Sequence, residues 1–128
     1  GYRAVLGEDL QDANVIYTGW NSGDGYQAMH QILAREIAFD GVLCGSDRIA
    51  AGVITALNEA GLSVPADVSV VGFDDHEIAT RCVPALTTVR QPLREEGHMA
   101  ANIALDMIKG AEPITSVMHM QLIQRDSL

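Results

Sequence analysis

The stretch Val64-Pro65-Ala66-Asp67-Val68-Ser69-Val70-Val71-Gly72-Phe73-Asp74-Asp75 decides how the rest of this chain is read. Its first four residues have turn chemistry, and Val68 to Phe73 is an apolar, β-branched run that predicts a strand. Two carboxylates follow that strand directly. Immediately upstream, Gly41-Val42-Leu43-Cys44-Gly45 predicts a second, compact strand. Ser46 and Asp47 then both suit the N-cap of a helix that runs to about Ala60 and stops at Gly61. Further upstream, Val15-Ile16-Tyr17-Thr18 predicts another strand, followed by a turn-rich segment from Gly19 to Gly25. Tyr26, Met29, Ile32 and Leu33 make the stripe of a helix, and Tyr2, Val5, Leu6 and Leu10 predict one over residues 1–12. Downstream, Leu86 to Val89 reads as a strand. Pro92 precedes a helix with Leu93, Gly97, Ala100, Ala101, Ala104, Leu105 and Ile108 along one side, ended at Lys109-Gly110. The tail from Ser116 to Arg125 alternates enough for one or two strands. The order of elements predicts an α/β fold with a mostly parallel sheet flanked by helices.

Composition narrows the function. The 128 residues carry 8 Lys plus Arg against 17 Asp plus Glu, a formal charge of −9. A chain this acidic is poorly suited to hold a phosphate backbone, which needs clustered Lys and Arg. With 48% hydrophobic residues it buries a core, and no apolar run reaches the roughly 18 residues of a membrane-spanning helix. Cys44 and Cys82 lie in apolar settings and read as buried free thiols, which favours a reducing cytoplasm. There is no signal peptide and no initiating Met, so the chain reads as part of something longer.

In parallel sheets of this kind ligands bind beyond the carboxyl ends of the strands. Three segments fall there: Gly19 to Gly25, Gly45-Ser46-Asp47 and Asp74-Asp75-His76. Trp20, the one tryptophan, either covers a flat ligand face such as a sugar or a base, or acts as a lid over the core. Asp74 and Asp75 have the chemistry to bind Mg²⁺, to work as acid and base, to accept ligand hydroxyls, or to cap a following helix. Ser46 and Asp47 are helix caps, ligand contacts, or both. A phospho-acceptor site fails for want of a lysine at a strand end, because Lys109 is the only lysine. The glycines of 19–25 match neither a phosphate loop nor a dinucleotide fingerprint. His30, His76, His98 and His119 are not at metal-ligand spacing, and neither cysteine has a partner base. No catalytic residue, metal or cofactor is expected. The helix from Ile49 to Leu57 is apolar on nearly every face, which fits a central buried helix or a subunit interface equally.

The run from Val64 to Asp75 resembles the core signature of the lactose-repressor (LacI/GalR) family of bacterial transcription regulators. The resemblance continues through Pro84-Ala85-Leu86-Thr87-Thr88-Val89-Arg90-Gln91-Pro92, and upstream through Gly45-Ser46-Asp47-Arg48-Ile49-Ala50-Ala51-Gly52. It ends with Leu122-Ile123-Gln124-Arg125-Asp126-Ser127, and so covers essentially the whole chain. It implies a partial periplasmic-binding-protein-like (type I), Rossmann-like sheet. On this reading residues 1–90 are most of the C-terminal subdomain of an effector core. Residues 91–118 cross into the N-terminal subdomain, residues 119–128 return, and the DNA-binding headpiece is absent. An arginine that the family usually places just before Gly1 is absent as well.

By the same resemblance Trp20 stacks on an effector of sugar or nucleoside type and Asp74 accepts its hydroxyls. Ser46 stands where many members have an effector-contacting Asn, with a shorter reach, Asp47 completes that Asn/Asp pair, and Gln91 and Leu93 lie at the crossover and line the cleft. The helix carrying Ile49, Val53, Ala56 and Leu57, with the region after Asp75, forms a homodimer interface. The implied protein is a cytoplasmic repressor whose effector shifts two subdomains and thereby changes operator binding. The competing reading is a piece of a periplasmic sugar-binding protein of a transport system. Phe73-Asp74-Asp75, the stretch Pro84 to Pro92 and the apolar helix favour the regulator.

Overall fold

A computed structural model describes residues 4, 5, 7 and 12–128. The helix expected over 1–12 falls largely outside the described residues. A short 3-10 turn at Asp12–Asn14 leads into an irregular segment. There follow α1 (Ser22–Leu33), β1 (Gly41–Leu43), α2 (Asp47–Glu59), β2 (Ser69–Phe73), α3 (Ile78–Arg81), β3 (Thr87–Arg90), α4 (Leu93–Ile108) and β4 (Gln121–Ile123). The sheet runs in the order β1-β2-β3-β4. The first three strands are parallel and β4 is antiparallel to β3, so the alternating tail yields one strand.

The α/β expectation holds, but among the described residues the strand expected at Val15 to Thr18 does not form. Val15-Ile16-Tyr17-Thr18 has the composition of a strand but no ladder. A strand exists only where a neighbour takes its N–H and C=O groups. Here an apolar cavity of about 510 Å³, lined among others by Ile16, Tyr17, Met29, Phe39 and Leu43, lies between this run and β1. Tyr17 is left 91% exposed.

The apolar helix resolves in favour of the central position. Ser46 caps α2 by accepting the Ile49 N–H at 3.3 Å, and the helix closes at Gly61, where the Leu62 N–H reaches the Leu57 carbonyl at 3.0 Å. α2 packs on β2 with one flank, on α1 with another and on α3 with a third. Ile49, Val53, Ala56 and Leu57 are therefore all buried inside this chain, in one core with Met29, Val70 and Leu86. They are not available to a second copy, which corrects the interface expected of them. The flank of α2 that reaches solvent carries Arg48, Thr55 and Asn58 instead.

The α1–α2 contact depends on two glycines. A Cβ on Gly52 would overlap the Ser22 carbonyl oxygen, and one on Gly25 would overlap the Ile49 carbonyl oxygen. The two backbones therefore touch, each helix using a glycine where the other presents its main chain. In contrast, α4 has no buried residue; Leu93, Leu105, Met107 and Ile108 are all exposed.

Gly52→Ala forces two backbones apart rather than displacing a flexible side chain. It should lower stability by at least ~2 kcal/mol, at the upper end of overpacking costs. Urea denaturation checks this, and a loss under ~0.5 kcal/mol would contradict the close contact.

Candidate effector site at the carboxyl edge of the sheet

Because β1, β2 and β3 are parallel, their carboxyl ends emerge on one edge, carrying Ser46, Asp74 and Gln91 there. The structure joins two of these directly: Gln91 Nε2 donates to Asp74 Oδ1 at 2.6 Å. Among the described residues, Asp74 Oδ2 has no protein partner. The segment leading into α1 adds Trp20. Next to it Asn21 caps α1 in a reciprocal box with Asp24, each side chain taking the other's backbone N–H at 3.0 Å. The indole is 74% exposed, so it is no lid over the core. It shares the rim of the apolar cavity with Cys44 and Gly45.

The Asp74-Asp75 pair does not cap a helix. α3 begins at Ile78 with no side-chain cap. Instead both aspartates take positive φ, 106° and 52°. Side chains rarely adopt such angles, which cost on the order of 1–3 kcal/mol each and persist only where surroundings impose them. The imposing contacts are visible. The Asp74 N–H donates to the Val89 carbonyl at 2.9 Å and the Asp75 N–H to Thr88 Oγ1 at 3.3 Å. Asp75 Oδ1 accepts from Arg125 Nη2 and its Oδ2 from Arg90 Nε, each at 2.6 Å.

Burial pushes the Asp75 carboxyl up, but the hydrogen bonds and charges of Arg125 and Arg90 outweigh it and hold the group below the usual carboxylate range. Arg125 is itself fixed by donating to the Leu86 carbonyl at 2.8 Å. Two residues on, the fully buried Ser127 donates to the Val70 carbonyl at 2.6 Å and accepts the Thr87 N–H at 2.8 Å.

Of the alternatives open for Ser46 and Asp47, Ser46 takes that of the helix cap, while Asp47 neither caps α2 nor lies open to a ligand. Ser46 is buried and committed to its cap. Asp47 is fully buried; its Oδ1 accepts from Thr88 Oγ1 at 2.5 Å and its Oδ2 from the His76 N–H at 2.6 Å. Neither side chain faces an open cleft, because each is needed to satisfy backbone or hydroxyl donors behind the edge. Burial pushes the Asp47 carboxyl up, against the lowering effect of its two hydrogen bonds, and the charges of Asp74 and Asp75 push it further. Cys44 is buried and its thiol is pushed up to about 12, mainly by burial and then by the charge of Asp47. Cys82 is only half-buried, less than expected, and both thiols are free. Among the described residues, no group of three or more His, Cys, Asp or Glu could hold a metal ion, and no helix is long and apolar enough to cross a membrane.

Sequence reading missed Thr88, Arg125 and Ser127 as members of this edge. Thr88 and Arg125 were visible only as letters inside recognised runs, since their partners lie 41 and 50 residues away.

The family model described as a periplasmic binding protein-like domain matches residues 1–128. The chain belongs to that family. It is of the LacI/GalR type. It is 39% identical over 122 residues to the HTH-type transcriptional repressor PurR of Serratia proteamaculans (strain 568), covering 94% of this chain and 36% of that protein. Among solved structures, the transcriptional regulator CelR–cellobiose complex superposes with a TM-score of 0.91 at 33% identity, over 98% of this chain and 40% of that one. The Lac repressor dimer bound to operator and the anti-inducer ONPF gives 0.80 at 32% identity, over 86% of this chain and 34% of that one. This LacI/GalR-type chain thus spans roughly a third of the length of the curated relative it matches.

The Asp75 ion pairs generate a pH prediction. A depressed folded-state pKa contributes stability that is complete above the unfolded value of about 3.9 and is lost as pH falls through the folded value. Denaturation between pH 6 and pH 2 should show wild type losing this increment in that window and Asp75→Asn losing less. Parallel curves would contradict it.

Proposed function

We propose that this chain is the effector-binding and dimerisation region of a LacI-type DNA-binding repressor, in which a small molecule of sugar or nucleoside class changes the relation of two subdomains and so controls operator binding. The observation that carries this is likeness to repressors along almost the whole chain, 94% of it for PurR and 98% for the CelR–cellobiose complex. The same likeness favours the regulator over a periplasmic transport component. With a charge of −9 this region does not itself hold DNA; the headpiece that does lies outside this sequence. The protein is cytoplasmic and a binder rather than an enzyme, with no metal or cofactor.

At the site, Trp20 offers an exposed flat ring to the C–H face of a sugar or to a base. Asp74 offers the carboxylate oxygen that Gln91 leaves open, and Gln91 presents the remainder of its amide. Ser46 and Asp47 support this edge from behind. Residues 91–118 belong to the other subdomain, which gives the bare α4 a surface to cover it. The homodimer forms on the α2 flank with Ala51, Thr55 and Asn58, continued by Ile78, Cys82 and Val83.

In the full-length protein, Trp20→Ala and Asp74→Asn should each weaken effector binding about tenfold or more while leaving dimerisation intact. Calorimetry after a thermal-shift screen of sugars and nucleosides, with sedimentation for the dimer, makes the measurement. Unchanged affinity in both variants would sink the assignment.

A further inference from the structure

We propose that Asp47 is a positioning residue for the effector site, holding the Asp74-Asp75 turn so that the Asp74 carboxylate faces the ligand; this rests on the reading of Asp74 as the effector contact. Asp47 does not reach the ligand itself, since it is fully buried and both its oxygens are engaged within the protein. What it engages is the turn. The His76 N–H, the first after the two positive-φ residues, donates to Oδ2 at 2.6 Å. The Asp75 N–H, one residue earlier, donates to Thr88 Oγ1 at 3.3 Å, and that hydroxyl spends its own proton on Asp47 Oδ1 at 2.5 Å. Two consecutive amides of the strained turn therefore end on one carboxylate, directly or through one hydroxyl.

A single anchor would leave the turn free to rotate about it. Two anchors on successive residues, with the Asp74 N–H tied to Val89 on the other side, define the peptide planes between them. The direction of the Asp74 side chain follows from those planes, and Gln91 then holds the carboxylate from the far side.

The strand beneath is shaped to the same purpose. A Cβ on Gly72 would overlap Asp47 Oδ1, so only a glycine there leaves the carboxylate its place beside β2. The position at the first turn of α2 contributes too, because the helix N-terminus favours a negative charge. Neither a cap nor a ligand contact accounts for this arrangement: Ser46 already caps α2, and solvent does not reach Asp47.

Two measurements on the full-length protein test the proposal. The first is amide hydrogen exchange by NMR. Asp47→Ala should speed exchange at Asp75 and His76 about tenfold or more, with protection in Val70 to Phe73 retained. Thr88→Val should affect Asp75 more than His76, and Thr88→Ser, which keeps the hydroxyl, should restore it. Unchanged exchange at both amides, or equal loss throughout the sheet, would overturn the positioning role. Should Asp47→Ala fail to fold, Asp47→Asn carries the same test. Its amide nitrogen cannot accept, so one of the two anchors is lost and exchange at Asp75 or His76 should rise, while unchanged exchange at both would overturn the role.

The second is a double-mutant cycle on affinity by calorimetry, with cellobiose or guanosine as probe, whichever the wild-type protein binds; if it binds neither, exchange alone decides. Asp47→Ala should weaken binding about tenfold in the wild-type background and add nothing in Asp74→Asn, because it acts through Asp74. Additive losses would overturn the proposal. Asp74→Asn that binds the probe as wild type does would instead overturn the effector reading of Asp74, leaving the exchange result to judge Asp47.

Discussion

Asp47 keeps a carboxylate at the N-terminal end of α2, where no water reaches it, and a bare charge in such a place costs several kcal/mol. Much of the sheet's carboxyl edge is arranged to offset that cost. Thr88 from β3 and the His76 amide from the loop after β2 supply its donors, and Gly72 in β2 clears its space. One side chain thereby ties α2, β2, β3 and the loop into a unit. The strained backbone at Asp74 and Asp75 persists because this unit leaves it no relaxed alternative.

A second unit holds the same turn from outside. Arg125, just past β4, reaches back 50 residues to Asp75, and Arg90 joins it at the end of β3. Ser127 threads its hydroxyl between Val70 and Thr87, so the last residues of the chain are part of the sheet's hydrogen bonding rather than an appendage. On the far side, the glycine contact between α1 and α2 fixes where α1 begins, and with it the capping box beside Trp20. The aromatic ring and the carboxylate are thus both set from α2, which holds α1 through the glycine contact and the Asp74-Asp75 turn through Asp47.

Much of this was legible in the residues. The alternation of apolar runs with amphipathic stripes identified β1, α2, β2, β3 and α4 to within a residue or two, since local composition and the neighbours' pattern agree there. The family resemblance, spread over several ordered runs, pointed to the regulator type and drew attention to Trp20, Asp74 and Gln91. Val15 to Thr18 went the other way. Its residues suit a strand, but a strand is a relation between two segments, and among the described residues none forms a ladder with this run. The apolar helix was ambiguous for a related reason, because apolarity says that a face is covered and not by what.

From sequence alone came the α/β class, the LacI/GalR type, an acidity poorly suited to a phosphate backbone, and the placing of candidate residues at strand ends. These follow from periodicity, composition and ordered motifs, which are properties of neighbouring letters. Only the tertiary structure decided the roles: that Asp47 is walled in while Trp20 stands open, that Ile49, Val53, Ala56 and Leu57 are core, and that Arg125 belongs to Asp75. Those facts depend on which distant segments meet. Burial and pairing are set by contacts across tens of residues, and no local pattern encodes the partner.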